Sequence, residues 1–140
     1  MKKIVGYATG VFDLFHIGHL NILKQAKAEC DYLIVGVTTD ELAEKIKGRR
    51  PIAPLRERME IVRSLKCVDR VVPQKEIDEI KDYQKLKFNL IFKGDDWKGT
   101  EKWSKLERYF TDKNVKVVYF PYTKTTSSRA IRKFIQESRG

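Results

Sequence analysis

The stretch DYLIVGVTT, residues 31–39, constrains the fold more than any other part of this chain. Its apolar residues follow one another almost without interruption, which is typical of a strand buried on both faces of a parallel sheet. Segments with helical spacing separate it from shorter apolar runs at 2–8, 69–73, 88–94 and 115–121. This alternation predicts an α/β fold, with a five-stranded parallel sheet, helices on both of its faces and right-handed crossovers between strands.

The positions of the predicted helices between the strands indicate where a candidate site lies. Two helical segments fall between the second and third strands, and one follows each of the other strands. In such sheets, ligands bind beyond the carboxyl ends of the strands, where the strand order reverses. We therefore expect functional residues in the segments that follow strands, namely 9–19, 38–47, 94–97 and 121–128.

The net charge of the chain narrows the classes of binding partner that we expect. The 140 residues include 29 Lys and Arg against 19 Asp and Glu, which gives a net charge of +10. This excess favours anionic partners such as nucleic acids, acidic membranes or phosphorylated small molecules, and a solvated lysine-rich surface is the alternative. No basic run is interleaved with aromatic residues in the pattern of a known nucleic-acid module, so we expect no nucleic-acid partner.

Composition also predicts the compartment. No apolar stretch approaches the roughly 20 residues that span a bilayer, and the start of the chain reads as a strand rather than a signal peptide. Cys30 and Cys67 have no CxxC spacing. We therefore expect a single domain over residues 1–140, in the reducing cytoplasm and without membrane insertion.

The stretch HIGH holds both histidines of the chain, His16 and His19. At a helix start, residues three apart lie on one face. A metal pair is one interpretation, although no third histidine and no adjoining cysteine would complete it. Capping or packing histidines are a second. We favour a third, a phosphate clamp, because a glycine-containing turn runs into a helix N-terminus that attracts anions. Gly10 permits close backbone approach there, and Gly18 keeps the space between the imidazoles open.

The segment GVFDLFHIGH, residues 10–19, resembles the signature G-x-F-D-x-x-H-x-G-H of the cytidylyltransferase family. The resemblance continues over nearly the whole chain, through DYLIVGVTTDE, EKIKGRRPIAPLRERMEIVRSLKCVDRVVP, IFKGDDWKG and PYTKTTSSRAIRK. It implies a single Rossmann-like domain that transfers CMP from CTP to a small phosphorylated alcohol, with Mg²⁺ on the triphosphate and a homodimeric assembly. Class I tRNA synthetases share HxGH, but 140 residues are too few for one.

The resemblance implies roles for individual residues, all of which serve to position and neutralise two anionic reactants. It implies catalytic roles for His16, His19, Lys47 and Arg58. It implies contacts with the phosphate of the acceptor for Lys45, Lys66 and Lys81. It implies nucleotide binding by Gly10, Val11, Phe12, Asp13, His16, His19, Lys47, Asp95, Asp96, Trp97, Tyr122, Thr123, Thr126, Ser127 and Ser128.

The last loop departs from the family pattern. Tyr122 stands where the family has an arginine, and Thr125 where it has a glycine. Tyrosine stacks on a base but does not neutralise a phosphate, which leaves Lys124 or Arg129 to supply that charge. Glycerol 3-phosphate, giving CDP-glycerol and pyrophosphate for cell-envelope or capsule synthesis, is the first candidate acceptor. Phosphocholine, phosphoethanolamine, another polyol phosphate, adenylyl transfer from ATP, and a nucleotide-sensing or nucleic-acid-binding module stay as alternatives.

Overall fold

The computed structural model describes residues 3–121 and 128–139, and within them the predicted order of strands and helices is confirmed. The strands are β1 (Val5–Gly10), β2 (Tyr32–Thr38), β3 (Arg70–Gln74), β4 (Leu90–Gly94) and β5 (Lys116–Phe120). The helices are α1 (Ile17–Ala28), α2 (Asp40–Lys47), α3 (Leu55–Arg63), α4 (Glu79–Leu86), α5 (Glu101–Asp112) and α6 (Ser128–Arg139). A 3-10 turn, Asp95–Trp97, follows β4.

The five strands form one parallel sheet in the order β3-β2-β1-β4-β5. The strand order reverses at β1, so the carboxyl ends of β1 and β4 flank the crevice where such sheets bind ligands. β1 extends two residues beyond the predicted run at 2–8, because Thr9 and Gly10 still pair with Gly36 and Val37 of β2. This extension carries Gly10 to the rim of the crevice.

Each face of the sheet is covered by its own hydrophobic core, which confirms the predicted fold class. On one face, Leu23 of α1 and Val62 of α3 pack against Leu33 and Val35 of β2. On the other face, helices α4 and α5 pack with Ile34 and its neighbours. Since successive residues of β2 face opposite cores, Leu33, Ile34, Val35 and Val37 are all apolar, and the continuous run in the sequence follows from this.

The ends of the helices follow from local sequence. Thr39, Asp78 and Thr100 cap α2, α4 and α5, since each side chain accepts a hydrogen bond from a backbone N–H of the first turn. Gly48 ends α2 in the left-handed conformation, at φ 77°. Among the residues that the structure describes, no helix is long and apolar enough to cross a membrane.

Candidate active site

A cavity of about 510 Å³ lies at the carboxyl edge of the sheet, where the topology predicts a site. Helix α1 contributes His19 to its lining, α2 contributes Lys47, and α6 contributes Arg132. Every strand contributes its last residue to the lining, namely Gly10, Thr38, Gln74, Gly94 and Phe120. The cavity therefore draws on residues that are far apart in the sequence and that only the completed sheet brings together.

The turn after β1 aims helix α1 at this cavity. Phe12 and Leu14 both have positive φ, 54° and 51°, which is uncommon outside glycine. The Phe12 ring is buried under Gly10, where a Cβ atom would come within 2.8 Å of it. Gly10 is therefore needed for the close packing of this turn, and Gly10, Val11 and Phe12 all line the cavity.

The two histidines cap α1 with one ring nitrogen each. The Nδ1 atom of His16 accepts a hydrogen bond from the Gly18 N–H at 3.0 Å, and Nδ1 of His19 accepts one from the His16 N–H at 3.3 Å. The two bonds form a reciprocal capping box. Since each Nδ1 is an acceptor, the neutral rings carry their hydrogen on Nε2. The capping interpretation is thus confirmed, and it leaves an Nε2–H donor on each ring.

Packing fixes the orientation of His19. Its ring stacks on that of His16, with centroids 3.9 Å apart, and lies against the rings of Phe12 and Phe15 at 5.5 and 5.2 Å. Burial, followed by the charges of His16 and Lys47, lowers the pKa of His19 to about 4. Burial also lowers the pKa of His16. At neutral pH both rings are therefore uncharged donors at the N-terminus of α1, and lysine and arginine supply the positive charge of the site.

Asp13 anchors the loop that borders the cavity. Its carboxylate is 2% exposed, accepts hydrogen bonds from the N–H groups of Ile52 and Ala53 at 2.7 and 2.9 Å, and pairs with Arg132. Burial alone would raise the pKa of Asp13, but the two N–H groups and the Arg132 guanidinium outweigh it and hold the pKa below its usual value. Asp13 therefore positions the 52–53 loop and Arg132.

Arg132 is a site residue that sequence reasoning missed. It lines the cavity, and its Nε atom is buried without a hydrogen-bond partner within 3–121 and 128–139. The signal for it was present, because Arg132 belongs to the matched segment PYTKTTSSRAIRK, as its last residue but one. Arg132 is therefore a further source of the positive charge that Lys124 or Arg129 was expected to supply.

Arg58 supports the site from below, and the predicted direct catalytic contact is corrected. Its side chain is 0% exposed and does not line the cavity. The guanidinium donates to the carbonyl oxygens of Ala53, Val11 and Thr38 at 2.8, 2.7 and 2.6 Å, and it pairs with Asp40 at 2.6 Å. Its hydrogen-bonding capacity is spent on the turn after β1, the end of β2 and the start of α2, so Arg58 positions these elements.

The three lysines predicted to hold the acceptor phosphate lie outside the cavity lining. Lys45 is exposed on α2 and stands two residues before Lys47, which places the two side chains on different faces of the helix. Lys66 is exposed in the turn before β3, at the opposite edge of the sheet. Lys81 is 57% exposed and pairs with Glu76 at 3.3 Å. The structure does not place these lysines in the cavity lining, and their assignment to the acceptor phosphate stays a prediction.

Two other lysines line the cavity instead, and sequence reasoning missed both. Lys93 lies one residue before Gly94, the last residue of β4, and its Nζ atom is 5.0 Å from the ring centroid of Trp97 and 5.6 Å from that of Trp103. Lys102 pairs with Glu79 at 2.9 Å. Lys93 directly precedes the matched G-D-D-W segment, so its place at a strand end was the available signal.

The remaining predicted residues lie in different places relative to the cavity. Asp96 and Trp97 line the cavity, whereas Asp95 does not. Ser128 is the first residue of α6. Tyr122, Thr123, Thr126 and Ser127 lie outside the described residues, as do Lys124 and Thr125. In the part of the chain that is described, no three His, Cys, Asp or Glu side chains are close enough to hold a metal ion.

Comparisons with known proteins identify relatives of this chain. A glycerol-3-phosphate cytidylyltransferase from Bacillus spizizenii is 38% identical over 134 residues, which cover 95% of this chain and 96% of the relative. An FAD synthase from Thermococcus sibiricus is 51% identical over 71 residues, 51% of this chain and 48% of the synthase. Among solved structures, a lipopolysaccharide core biosynthesis protein from Thermoplasma volcanium has a TM-score of 0.72 at 32% identity, covering 89% of this chain and 100% of its own.

The fold, the paired donors at a helix N-terminus and these relatives define a nucleotidyltransferase. More narrowly, residues 7–134 match the family model described as cytidylyltransferase-like, and the chain belongs to that family.

Proposed function

We propose that the protein transfers CMP from CTP to the phosphate of a small phosphorylated alcohol and releases pyrophosphate. Glycerol 3-phosphate is the first candidate acceptor, with CDP-glycerol as product. The observation that carries this proposal is the pair of neutral histidines that cap α1 and retain their Nε2–H donors, His19 in the lining of a cavity that Lys47 and Arg132 also line. The full-length similarity to glycerol-3-phosphate cytidylyltransferases supports the choice of substrates.

The chemistry needs positioning and charge neutralisation more than proton transfer. A phosphate oxygen of the acceptor attacks the α-phosphorus of CTP in line. The bond from that phosphorus to the oxygen that bridges it to the β-phosphate breaks, and pyrophosphate leaves with that oxygen. The acceptor oxygen is already ionised at neutral pH, so no general base is required. Donors of His16 and His19 that strengthen as charge develops on the α-phosphate oxygens stabilise the transition state.

Lys47 and Arg132 complete the electrostatics of the nucleotide side. Two polyanions repel each other strongly in a site with few waters, and cations that line the cavity reduce this repulsion. Lys47 lies at the last turn of α2, and Arg132 is held in place by Asp13. Positioned in this way, both side chains are expected to bind phosphate oxygens of CTP.

Three further expectations belong to this proposal. We expect CTP to enter as its magnesium complex, since Mg²⁺ is commonly carried on substrate phosphates with few protein ligands. We expect a homodimer, and sedimentation equilibrium measures the mass. We expect the enzyme to act in the cytoplasm, where Cys30 and Cys67, both free in the structure, stay reduced.

A panel assay tests the proposal. Each of CTP, ATP, GTP and UTP is incubated with Mg²⁺ and one of glycerol 3-phosphate, phosphocholine or phosphoethanolamine, and pyrophosphate release is measured. We expect the highest rate with CTP and glycerol 3-phosphate. A preference for ATP would overturn the assignment of the base, and no pyrophosphate with any pair would overturn the proposed reaction.

A further inference from the structure

Lys93 occupies an unusual place for a lysine. It lies at the end of β4, where it pairs with Tyr119 of β5, directly after the residue of β4 that pairs with Ala8 of β1. Its side chain lines the cavity on the face of the sheet that α5 covers, because Trp103 of α5 contacts it. Lys93 is therefore close to the point where the strand order reverses, across the sheet from the face on which α1 packs.

The surroundings of Lys93 are aromatic. Its Nζ atom lies over the rings of Trp97 and Trp103, and among the described residues it has no hydrogen bond and no ion pair. Burial lowers the pKa of Lys93, an effect that the carboxylates of Glu79 and Asp96 oppose and that the charge of Lys102 reinforces. An anion that enters the cavity would stabilise the charged lysine that the rings alone solvate poorly.

Trp103 supplies a second, independent observation. It is 1% exposed and lines the cavity, and its Nε1–H is buried without a hydrogen-bond partner within the described ranges. Buried donors in native proteins are rarely left unpaired, so an unpaired one calls for an explanation. An acceptor atom of a ligand in the cavity would satisfy this donor. The same wall thus offers one cation and one N–H donor to a ligand.

The charged residues of the cavity indicate which chemical group of a ligand Lys93 and Trp103 would bind. Lys102 is paired with Glu79, and Arg132 with Asp13. His19 and Lys47, the groups assigned to the triphosphate, come from the helices α1 and α2. The acceptor brings a second phosphate that needs its own cation, and Lys45, Lys66 and Lys81 do not line the cavity. Among the residues that the structure describes, Lys93 is the lining lysine that neither the nucleotide assignment nor an ion pair accounts for.

We propose that Lys93 and the Nε1–H of Trp103 bind the phosphate of the acceptor. This inference rests on the proposed function, because the acceptor exists only in that reaction. Lys93 is thereby a substrate-binding residue of the site. The experiment has to distinguish binding of the acceptor phosphate from binding of a nucleotide phosphate.

Steady-state kinetics provide the first arm of the test. In Lys93→Met, the KM for glycerol 3-phosphate should rise about 10- to 100-fold, as expected for a lost charged hydrogen bond. The Kd for CTP, measured by calorimetry without acceptor, should stay within about twofold. Lys93→Arg should recover part of the affinity, and Trp103→Phe should raise the same KM. Lys98→Met is the matched control, since Lys98 lies over the ring of Tyr119 and does not line the cavity.

A binding readout separates this inference from the proposed function. Indole N–H signals in a ¹H–¹⁵N spectrum, assigned with Trp97→Phe and Trp103→Phe, are followed while glycerol 3-phosphate or inorganic phosphate is added without nucleotide. We expect a saturable shift of the Trp103 signal in the wild type and no shift in Lys93→Met. This result would stand even if the panel assay showed no pyrophosphate.

Three outcomes would overturn the inference. One is a wild-type Trp103 signal that does not respond to glycerol 3-phosphate. Another is an equal response in Lys93→Met. The third is a Lys93→Met variant that binds CTP more weakly while its KM for the acceptor is unchanged, which would assign the lysine to the nucleotide.

Discussion

His16 and His19 each use their two ring nitrogens for different purposes. The Nδ1 atoms accept backbone hydrogen bonds and cap α1, and the Nε2–H groups remain as donors. Capping and phosphate binding compete as explanations when only residue types and spacing are known. They are compatible in the structure because imidazole has two distinct nitrogens. The cap also fixes the tautomer, so one local interaction prepares the other.

Substitution of His19 should separate these two roles. His19→Ala should lower kcat on the order of 10²- to 10³-fold through the lost donor, and it should cost about 1 kcal/mol of stability through the lost cap. Glutamine at this position restores the capping box, because its side chain accepts from the N-cap N–H.

His19→Gln should therefore recover stability in chemical denaturation but not turnover. Equal turnover in the wild type and His19→Gln would refute the role of the imidazole as a donor.

The histidines also predict how stability depends on pH. Burial lowers the pKa of His19 to about 4 in the folded chain, whereas an unfolded histidine titrates near pH 6.5. The unfolded chain therefore binds more protons between about pH 6.5 and 4, and the free energy of unfolding should fall as the pH falls through this window. Above pH 6.5 the contribution is fully present.

Denaturation at pH 7.5 and at pH 5 measures this slope. His19→Gln should show a smaller loss of stability between these two pH values than the wild type. A slope that is identical in the two proteins would show that His19 is not buried in its neutral form.

At the level of elements, α3 holds the site together through one residue. Arg58 joins the turn after β1, the end of β2 and the start of α2 by hydrogen bonds to Val11, Thr38 and Asp40. A guanidinium serves this purpose because its planar fork presents several donors in fixed directions. The helix thereby sets the spacing between the segment that carries His16 and the helix that carries Lys47.

Arg58→Met should destabilise the fold by about 3–5 kcal/mol, because it removes the partner of Asp40 and the donor to the carbonyl groups of Ala53, Val11 and Thr38. Arg56→Met is the control, since Arg56 is exposed on the same helix, and its stability should change by less than about 0.5 kcal/mol. Thermal and chemical denaturation measure both. A stable Arg58→Met variant that has lost only activity would restore the direct catalytic role.

The strands and helices were largely predictable from the sequence, whereas the directions in which single side chains point were not. Continuous apolar runs identify strands because burial on both faces leaves few polar positions. The run Arg56-Glu57-Arg58 looks like a solvated helix face, yet Arg58 is buried because acceptors from three other segments converge on it. Such long-range partners leave no periodic signal. Lys45 and Lys47 differ for a simpler reason, since α2 has only 8 residues and its phase is set by packing.

At the scale of the molecule, the parallel sheet brings together charged residues from across the chain. Asp13 and Arg132, 119 residues apart, form one ion pair at the cavity. The matched motifs identified the carboxyl edge because they contain strand ends and helix starts. Lys93 and Lys102 escaped because neither is one of the G-D-D-W residues of the matched segment, and the contact of Lys93 with Trp103 exists only after β4 and α5 have packed. Four of the basic residues behind the net charge of +10 line this cavity, namely Lys47, Lys93, Lys102 and Arg132.

We propose that this cavity joins two phosphates, and ³¹P NMR of the protein with CTP, Mg²⁺ and glycerol 3-phosphate tests this reaction, because it observes substrates and products together. We expect the CTP and glycerol 3-phosphate signals to decay while the coupled signals of a diphosphate diester and an equimolar pyrophosphate signal appear. His19→Gln should slow this change greatly. Unchanged CTP in the wild type, or its hydrolysis to CMP without any diester, would show that the cavity does not join the two phosphates.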